Sequence, residues 1–308
     1  MGDPAGIGPE IVLKALQKAP QNGLEGPFVV YGCQEWLRAV AQRCGASGEL
    51  PAVVSCCSVS PDLALGQVSA EAGDAAFRSV RRAGLDAMAG KVRAVVTAPL
   101  SKAAINLAGH VFPGHTEILA MLAGGVPVRM MLANQELRTV LVSIHLPLKE
   151  AVASLSVAGI LETIRLTDEF LRRTGMAAPR IAVAGLNPHA GEDGLLGTEE
   201  AEIIAPAIRA ARASGIDASG PYPPDTVFMR ARGFGQFDVV IAMYHDQGLI
   251  PVKYLGVEEG VNLTVGLPFV RTSPDHGTAF DIAGQGVADP ASMLAAMRMA
   301  EQLSASKP

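Results

Sequence analysis

Three histidines each close a short apolar, β-branched run: VLVSIH ends at His145, IAVAGLNPH at His189 and VVIAMYH at His245. Neutral imidazoles are good ligands for a divalent metal, and three of them with one open position make a catalytic rather than a closed structural site. Runs of this kind, alternating with helical stretches, are expected as parallel strands of an α/β sheet. Ligands of such sheets gather outside the carboxyl ends of the strands. The three imidazoles are therefore expected to meet at one rim, although they lie far apart in sequence. The chain holds only 6 histidines, so half of them share this context.

Other stretches offer anion chemistry. GDPAGIGPE sets Gly2, Gly6 and Gly8 around Asp3 and Pro4, and leads into a helix with Pro9 near its first turn. A helix N-terminus welcomes an anion, but the spacing is not the GxGxxG dinucleotide fingerprint. Such a loop normally follows a strand, so a strand is expected ahead of Met1. In TAPLSK and FPGHTE, Thr97 and Pro99 end a strand, Ser101 and Lys102 start a helix, and His115 and Thr116 open another with Glu117 in its first turn. Hydroxyl, imidazole and free backbone N–H groups together suit a carboxylate or phosphate. The densest stretch supplies His245, Asp246, Gln247, Lys253, Asn262 and Arg271. Two cations and an amide there resemble an anion clamp, since a guanidinium can grip two oxygens at once. The loop HGTAFDIAG combines small residues with His276 and Asp281, and is expected to wrap a nucleotide with the carboxylate on a ribose hydroxyl.

The elements that must position these groups are legible as patterns. Strands are expected around Phe28–Tyr31, Val92–Thr97, Val128–Ala133, Thr139–Ile144, Arg180–Ala184, Asp238–Met243 and Val261–Val265, with helices over Ser156–Arg173, Thr198–Arg212 and Ala291–Leu303. The acidic opening TEEAE of the second helix favours the macrodipole. With 308 residues, 49% hydrophobic and few aromatics, the chain can bury Val-rich strands under Ala- and Leu-rich helices, and its length suggests two domains. A net charge of −5 argues against nucleic acid as the main partner. Cys33, Cys44, Cys56 and Cys57 show no CxxC spacing and read as ordinary thiols in a reducing compartment. No apolar run has the length of a membrane span, and the first residues do not read as a signal peptide, so a cytoplasmic location is expected.

Over essentially its whole length the chain resembles the 4-hydroxythreonine-4-phosphate dehydrogenase family of pyridoxal phosphate biosynthesis. The resemblance is carried by GDPAGIGPE, TAPLSK, FPGHTE, NPHAGEDGLLG, PPDTVF, AMYHDQGLIPVKY and GVNLTVGLPFVRTSPDHGTAFDIAG together. The HGTAFDIAG loop also resembles the adenosine-binding loop of isopropylmalate and isocitrate dehydrogenases. The resemblance implies an α/β protein with the two-domain isopropylmalate/isocitrate dehydrogenase-like fold and a cleft between its domains. Residues 1–120 plus 258–308 would form the nucleotide-binding domain and 121–257 the metal and dimerisation domain. It implies a homodimer with shared active sites, and one divalent metal (zinc, magnesium, manganese or cobalt) held by His145, His189 and His245 with ligands from both subunits. His115, Thr116, Lys253, Asn262 and Arg271 would bind substrate. His276, Gly277, Thr278 and Asp281 would line the NAD or NADP pocket. Asp225 and Lys253 are the catalytic candidates for moving the proton, with a metal-activated water as a third.

The implied reaction is oxidation of 4-phosphooxy-threonine to the 3-keto acid, followed by decarboxylation to 3-amino-2-oxopropyl phosphate. Rival readings are a threonate- or erythronate-4-phosphate dehydrogenase of sugar-acid catabolism and an aromatic cis-dihydrodiol dehydrogenase. FPGHTE favours the phosphorylated acids over the diol. From other classes, a metal-dependent hydrolase or a small-anion binder would use the same histidines, but neither explains HGTAFDIAG.

Overall fold

The computed structural model describes residues 1–45, 50–256 and 259–305. In chain order its strands are β1 (Val29–Gly32), β2 (Ala52–Ser55), β3 (Ala94–Val96), β4 (Arg129–Ala133), β5 (Arg138–Leu141), β6 (Ile181–Ala184), β7 (Ala218–Tyr222), β8 (Val239–Ala242), β9 (Val261–Val265) and β10 (Val270–Pro274). The helices are α1 (Gly8–Lys18), α2 (Gln34–Arg43), α3 (Ala70–Met88), α4 (Lys102–Leu107), α5 (His115–Leu122), α6 (Leu148–Ala153), α7 (Val157–Arg173), α8 (Ala205–Ala213), α9 (Pro224–Ala231), α10 (His245–Tyr254) and α11 (Ala291–Ala305). Each of the seven strands and three helices expected by residue range has its counterpart here.

Three strands were not expected, each for a physical reason. β2 is exposed or half-buried along its length and so lacks a buried apolar face. β7 contains Gly220 and Pro221, which read as a turn, and its pairing with β6 shifts register between Ala182 and Ala184. β10 carries a buried arginine and ends on Pro274. Helix starts follow capping chemistry: the hydroxyls of Ser69, Ser101 and Ser156 accept from the backbone N–H groups of Ala72, Ala104 and Gly159, opening α3, α4 and α7. The helix expected over Thr198–Arg212 instead begins as a π-helical turn over Glu200–Ile204 before continuing as α8.

The chain divides into two units, Met1–Pro127 with Leu267–Ser304, and chiefly Val128–Gly266. The first crossing falls a few residues beyond the expected 120/121, and the second falls at 266/267. β9, expected in the nucleotide-binding domain, therefore belongs to the second unit. The expected boundary at 257/258 itself lies outside the described residues. In the first unit β1 pairs parallel with β2, and β3 parallel with β10. Its core gathers Ile11, Ala15 and Leu24 with Met293 and Met297 of α11. A second cluster around Leu13, Val30, Trp36 and Leu37 packs α1, β1 and α2 together.

In the second unit the strands run in the order β9-β4-β5-β8-β6-β7. β4 is antiparallel to β9 and β5, whereas β5, β8, β6 and β7 are mutually parallel neighbours. Strands β6 and β8 are buried at every position, as expected of parallel strands covered on both faces. Helix α10 lies close on this sheet because it carries Gly248, where an added Cβ would come 2.5 Å from Leu141 Cδ2 and 2.9 Å from Ala242 Cβ. Thr139 Oγ1 donates to the Gly248 carbonyl at 3.0 Å and fixes that approach.

Candidate active site

The three histidine-bearing runs become β5, β8 and β6, which are adjacent and parallel, so all three histidines follow carboxyl ends on one side of one sheet. The strand ends are strapped together there. Ser143 Oγ donates to the Met243 carbonyl at 2.8 Å, tying the end of β5 to that of β8. Buried Gln247 accepts from the Met243 N–H and donates to the Gly185 carbonyl, each at 2.7 Å, tying β8 to β6. Gln247 stands among the quoted motif residues, yet its bracing role is invisible until the strands are paired.

His145 and His245 come together with ring centroids 5.7 Å apart. His245 is the first residue of α10, and its Nδ1 lies 2.7 Å from Asp246 Oδ1. A carboxylate on Nδ1 fixes the ring's orientation and directs the Nε2 lone pair outward, the arrangement metal-ligating histidines adopt. These two imidazoles supply part of a donor set for a divalent cation.

His189 is exposed and stands apart from this pair. Among the described residues, no three His, Cys, Asp or Glu side chains of one chain form a group able to hold a metal. His189 opens five consecutive residues, His189–Asp193, whose φ angles lie between 44° and 82°, in the left-handed region. Four of the five are not glycine, and that backbone costs them roughly 1–2 kcal/mol each. Gly191 is the exception that space demands, since a Cβ there would sit 2.7 Å from Glu200 Oε2. Glu200 pins the turn from below. Its Oε1 accepts from the N–H groups of Leu186 and Asn187, each at 2.7 Å, and its Oε2 accepts from Asn187 Nδ2 at 2.9 Å. Thus Glu200, expected to serve the helix macrodipole, is a buried brace for the His189 turn.

Asp225 is exposed in the first turn of α9, a helix that packs on the His189 segment. Lys253 is half-buried in the last turn of α10, and Asn262 lies on β9 opposite Leu132 of β4.

The first unit assembles a different set. Arg271 on β10 is buried, and its Nε and Nη2 donate to Thr97 Oγ1 at 3.1 and 2.6 Å. Burial pulls the guanidinium down to about 10, against the opposing charge of Glu117. His115 opens α5 beside it, with Thr116 half-buried next in line. The His115 Nε2 is enclosed and meets no protein partner. Burial holds this imidazole well below 6.5; the charges of Arg271 and the amino terminus act in the same direction, and a hydrogen bond with the Ala98 backbone opposes them. A neutral ring beside a buried cation is set to meet an oxygen-rich ligand.

Sequence reasoning noted Asp3 only as part of its loop. Here its carboxyl is fully buried, Oδ1 accepting from the Ala5 N–H at 2.9 Å while Oδ2 meets no partner, and burial raises its pKa. The glycine-rich loop also supports the proposed nucleotide loop. The Ile7 N–H donates to the Thr278 carbonyl at 2.9 Å, and Ala279 takes a left-handed φ of 41°. His276 and Gly277 are exposed there, Thr278 is half-buried, and Asp281 is exposed in the short turn Phe280–Ile282.

A stability consequence follows for His115. The folded ring binds its proton less readily than the unfolded chain does, so its share of stability is complete above the ordinary value of 6.5 and is lost as pH falls below it. Thermal melts between about pH 7.5 and 5 should show this decline, and His115→Phe should flatten it.

Residues 13–300 match the family model described as pyridoxal phosphate biosynthetic protein PdxA. A 4-hydroxythreonine-4-phosphate dehydrogenase of Beijerinckia indica is 50% identical, over 100% of this chain and 95% of its own length. A D-threonate 4-phosphate dehydrogenase of Salmonella typhimurium is 48% identical, over 98% of this chain and 97% of its own. The crystal structure of the 4-hydroxythreonine-4-phosphate dehydrogenase from Klebsiella pneumoniae superposes with a TM-score of 0.90 at 46% identity, covering 99% of this chain and 98% of that one. The family model spans most of the chain and the relatives are about half identical over its whole length: the chain belongs to the PdxA family of pyridoxal phosphate biosynthetic proteins.

Proposed function

We propose that this protein is a nicotinamide- and metal-dependent dehydrogenase that oxidises the secondary alcohol of a phosphorylated four-carbon hydroxy acid, with 4-hydroxythreonine-4-phosphate as its substrate. The observation that carries this reading is the His145–His245 pair at the ends of two parallel strands, with His245 oriented by Asp246. It occurs in a chain half identical to a relative bearing that enzyme name.

In this reading His145, His189 and His245 hold the cation, with ligands contributed by two copies of the chain. When bound, the metal acts as a Lewis acid that eases loss of the alcohol proton. Asp225 and Lys253 are the groups proposed to take that proton. Arg271, His115 and Thr116 hold anionic oxygens of the substrate, and Lys253 and Asn262 orient its reacting end. The loop through His276, Gly277, Thr278 and Asp281 receives NAD or NADP. The keto acid formed then loses carbon dioxide to give 3-amino-2-oxopropyl phosphate. A homodimer is supported by large apolar side chains left in solvent on the second unit, including Tyr254 at 90% and Leu195 at 77% exposure, near the histidine-bearing segments in sequence. Among the described residues no helix is long and apolar enough to cross a membrane.

The second reading, D-threonate 4-phosphate as substrate, is favoured by relatives of that name at 46 to 48% identity. Purified protein with metal and each nicotinamide cofactor, tested on both acids and an aromatic cis-dihydrodiol, separates the readings by absorbance of reduced nicotinamide. The highest kcat/KM is expected for 4-hydroxythreonine-4-phosphate. A higher value for threonate 4-phosphate would transfer the assignment. Absence of reduced nicotinamide with every substrate would end the dehydrogenase reading.

A further inference from the structure

The loop proposed to receive the nicotinamide cofactor is held at both ends by one helix. Near its start the Ile7 N–H, at the cap of α1, donates to the Thr278 carbonyl at 2.9 Å. Gly6 allows that approach, since a Cβ there would come 2.8 Å from the Thr278 carbonyl oxygen. At the far end two side chains of α1 take hold. The Lys14 ammonium donates to the Gly286 carbonyl at 2.8 Å and to the Ala288 carbonyl at 2.9 Å. Its third proton goes to Glu10 Oε1 at 2.7 Å, and the same oxygen accepts from the Ala288 N–H at 2.8 Å.

This clasp differs from a surface ion pair. An ammonium carries three donors and no acceptor, and here all three are engaged. The Glu10 side chain is 2% exposed and that of Lys14 is 19% exposed. Exposed pairs one helical turn apart contribute little, whereas a covered carboxylate and ammonium hold one geometry because each would otherwise be stranded away from water. The loop turns sharply to bring two carbonyls onto one nitrogen, with Gly286 at a left-handed φ of 74°.

From Ile7 to Lys14 the helix rises about 10 Å, at about 1.5 Å per residue. A rod of that length fixes the separation of the two anchored ends. Between them lies Asp281, exposed in the turn Phe280–Ile282 and proposed above to meet the cofactor. A loop pinned at both ends presents its exposed middle in one shape, so a ligand has less chain to order.

We propose that Lys14, oriented by Glu10, is a positioning residue for the dinucleotide, holding the stretch Thr278–Ala288 in the shape that accepts NAD or NADP. The inference rests on the assignment of that loop to the cofactor and names what prepares it. An apparent Kd equals the intrinsic value divided by the fraction of protein in the competent shape. Without two charge-assisted bonds the loop should keep that shape about a tenth of the time or less.

The test measures Kd by calorimetry for NAD, for NADP and, with manganese present, for 4-hydroxythreonine-4-phosphate. Four proteins are compared: wild type, Lys14→Met, the double variant Glu10→Gln/Lys14→Met, and Lys18→Met. The double variant removes both charges, so no carboxylate stays buried without its cation. Lys18 is exposed on the same helix and controls for general loss of positive charge. Amide hydrogen exchange at Gly286 and Ala288 reads the loop without any ligand. Both clasp variants are expected to bind the dinucleotides about tenfold or more weakly and to exchange faster at these amides. Their Kd for the acid should change by less than about twofold, as for a distant site, and Lys18→Met should match wild type. A folded clasp variant that binds dinucleotide like wild type, or that loses dinucleotide and acid equally, would overturn the proposal. Wild-type protein that binds neither dinucleotide would overturn the loop assignment and the proposal with it, a failure visible before any substitution is made.

Discussion

His245→Ala is expected to abolish turnover while the protein stays folded. The ring opens α10 from an exposed rim, so its removal leaves the buried strands β5, β6 and β8 and the Gln247 brace untouched. A Lewis acid contributes several kcal/mol to a barrier, and about 1.4 kcal/mol is a factor of ten, so loss of the cation should lower kcat by roughly a thousandfold or more. Asp246→Asn makes a finer test. Among the described residues its carboxylate pairs with His245 Nδ1, so the expected result is a metal affinity weakened about 10- to 100-fold with an unchanged melting temperature. Chelator competition measures the affinity and a melt reports the fold. Wild-type activity that survives thorough chelation, or a His245→Ala protein that keeps its metal, would remove the cation from the mechanism.

Much of this site can be read in the sequence because parallel strands write themselves plainly. A run such as VVIAMYH has only one way to be buried on both faces, and the histidine after it must then stand at a carboxyl end. Pairing adds what the runs lack. β5, β8 and β6 are neighbours, although β8 is the last of them in the chain, and no local pattern orders them. Glu200 was legible as an acidic residue in a helical first turn, but its burial beneath the His189 turn depends on five left-handed residues that side-chain periodicity does not encode. Asp3 escaped for a similar reason. Its buried carboxyl is a product of loop packing, and GDPAGIGPE by itself looks like a turn rich in glycine. β7 escaped because Gly220 and Pro221 are turn residues by local chemistry, and only the neighbouring β6 makes them a strand edge.

Arg271→Ala is expected to raise KM for a phosphorylated substrate by on the order of a hundredfold or more, because hydrogen bonds to charged groups contribute about 1.5–3 kcal/mol each and a guanidinium makes two to one anion. The guanidinium is buried and held on Thr97 Oγ1 through Nε and Nη2, so its plane is set before any ligand arrives. A preset fork loses little freedom on binding, which is why Arg271→Lys should fail to restore KM although it keeps a positive charge. Thr97→Val isolates the positioning: the cation remains, the oxygen that orients it goes, and KM should rise by less than with Arg271→Ala. Because alanine at a buried arginine also empties space, each variant is melted first, and Arg271→Met supplies the filled, uncharged control. Steady-state kinetics with the phosphorylated acid and its unphosphorylated counterpart then decide the role. A KM penalty confined to the phosphorylated form assigns Arg271 to the phosphate. An equal penalty on both moves it to the carboxylate, and no penalty on either takes it out of substrate binding.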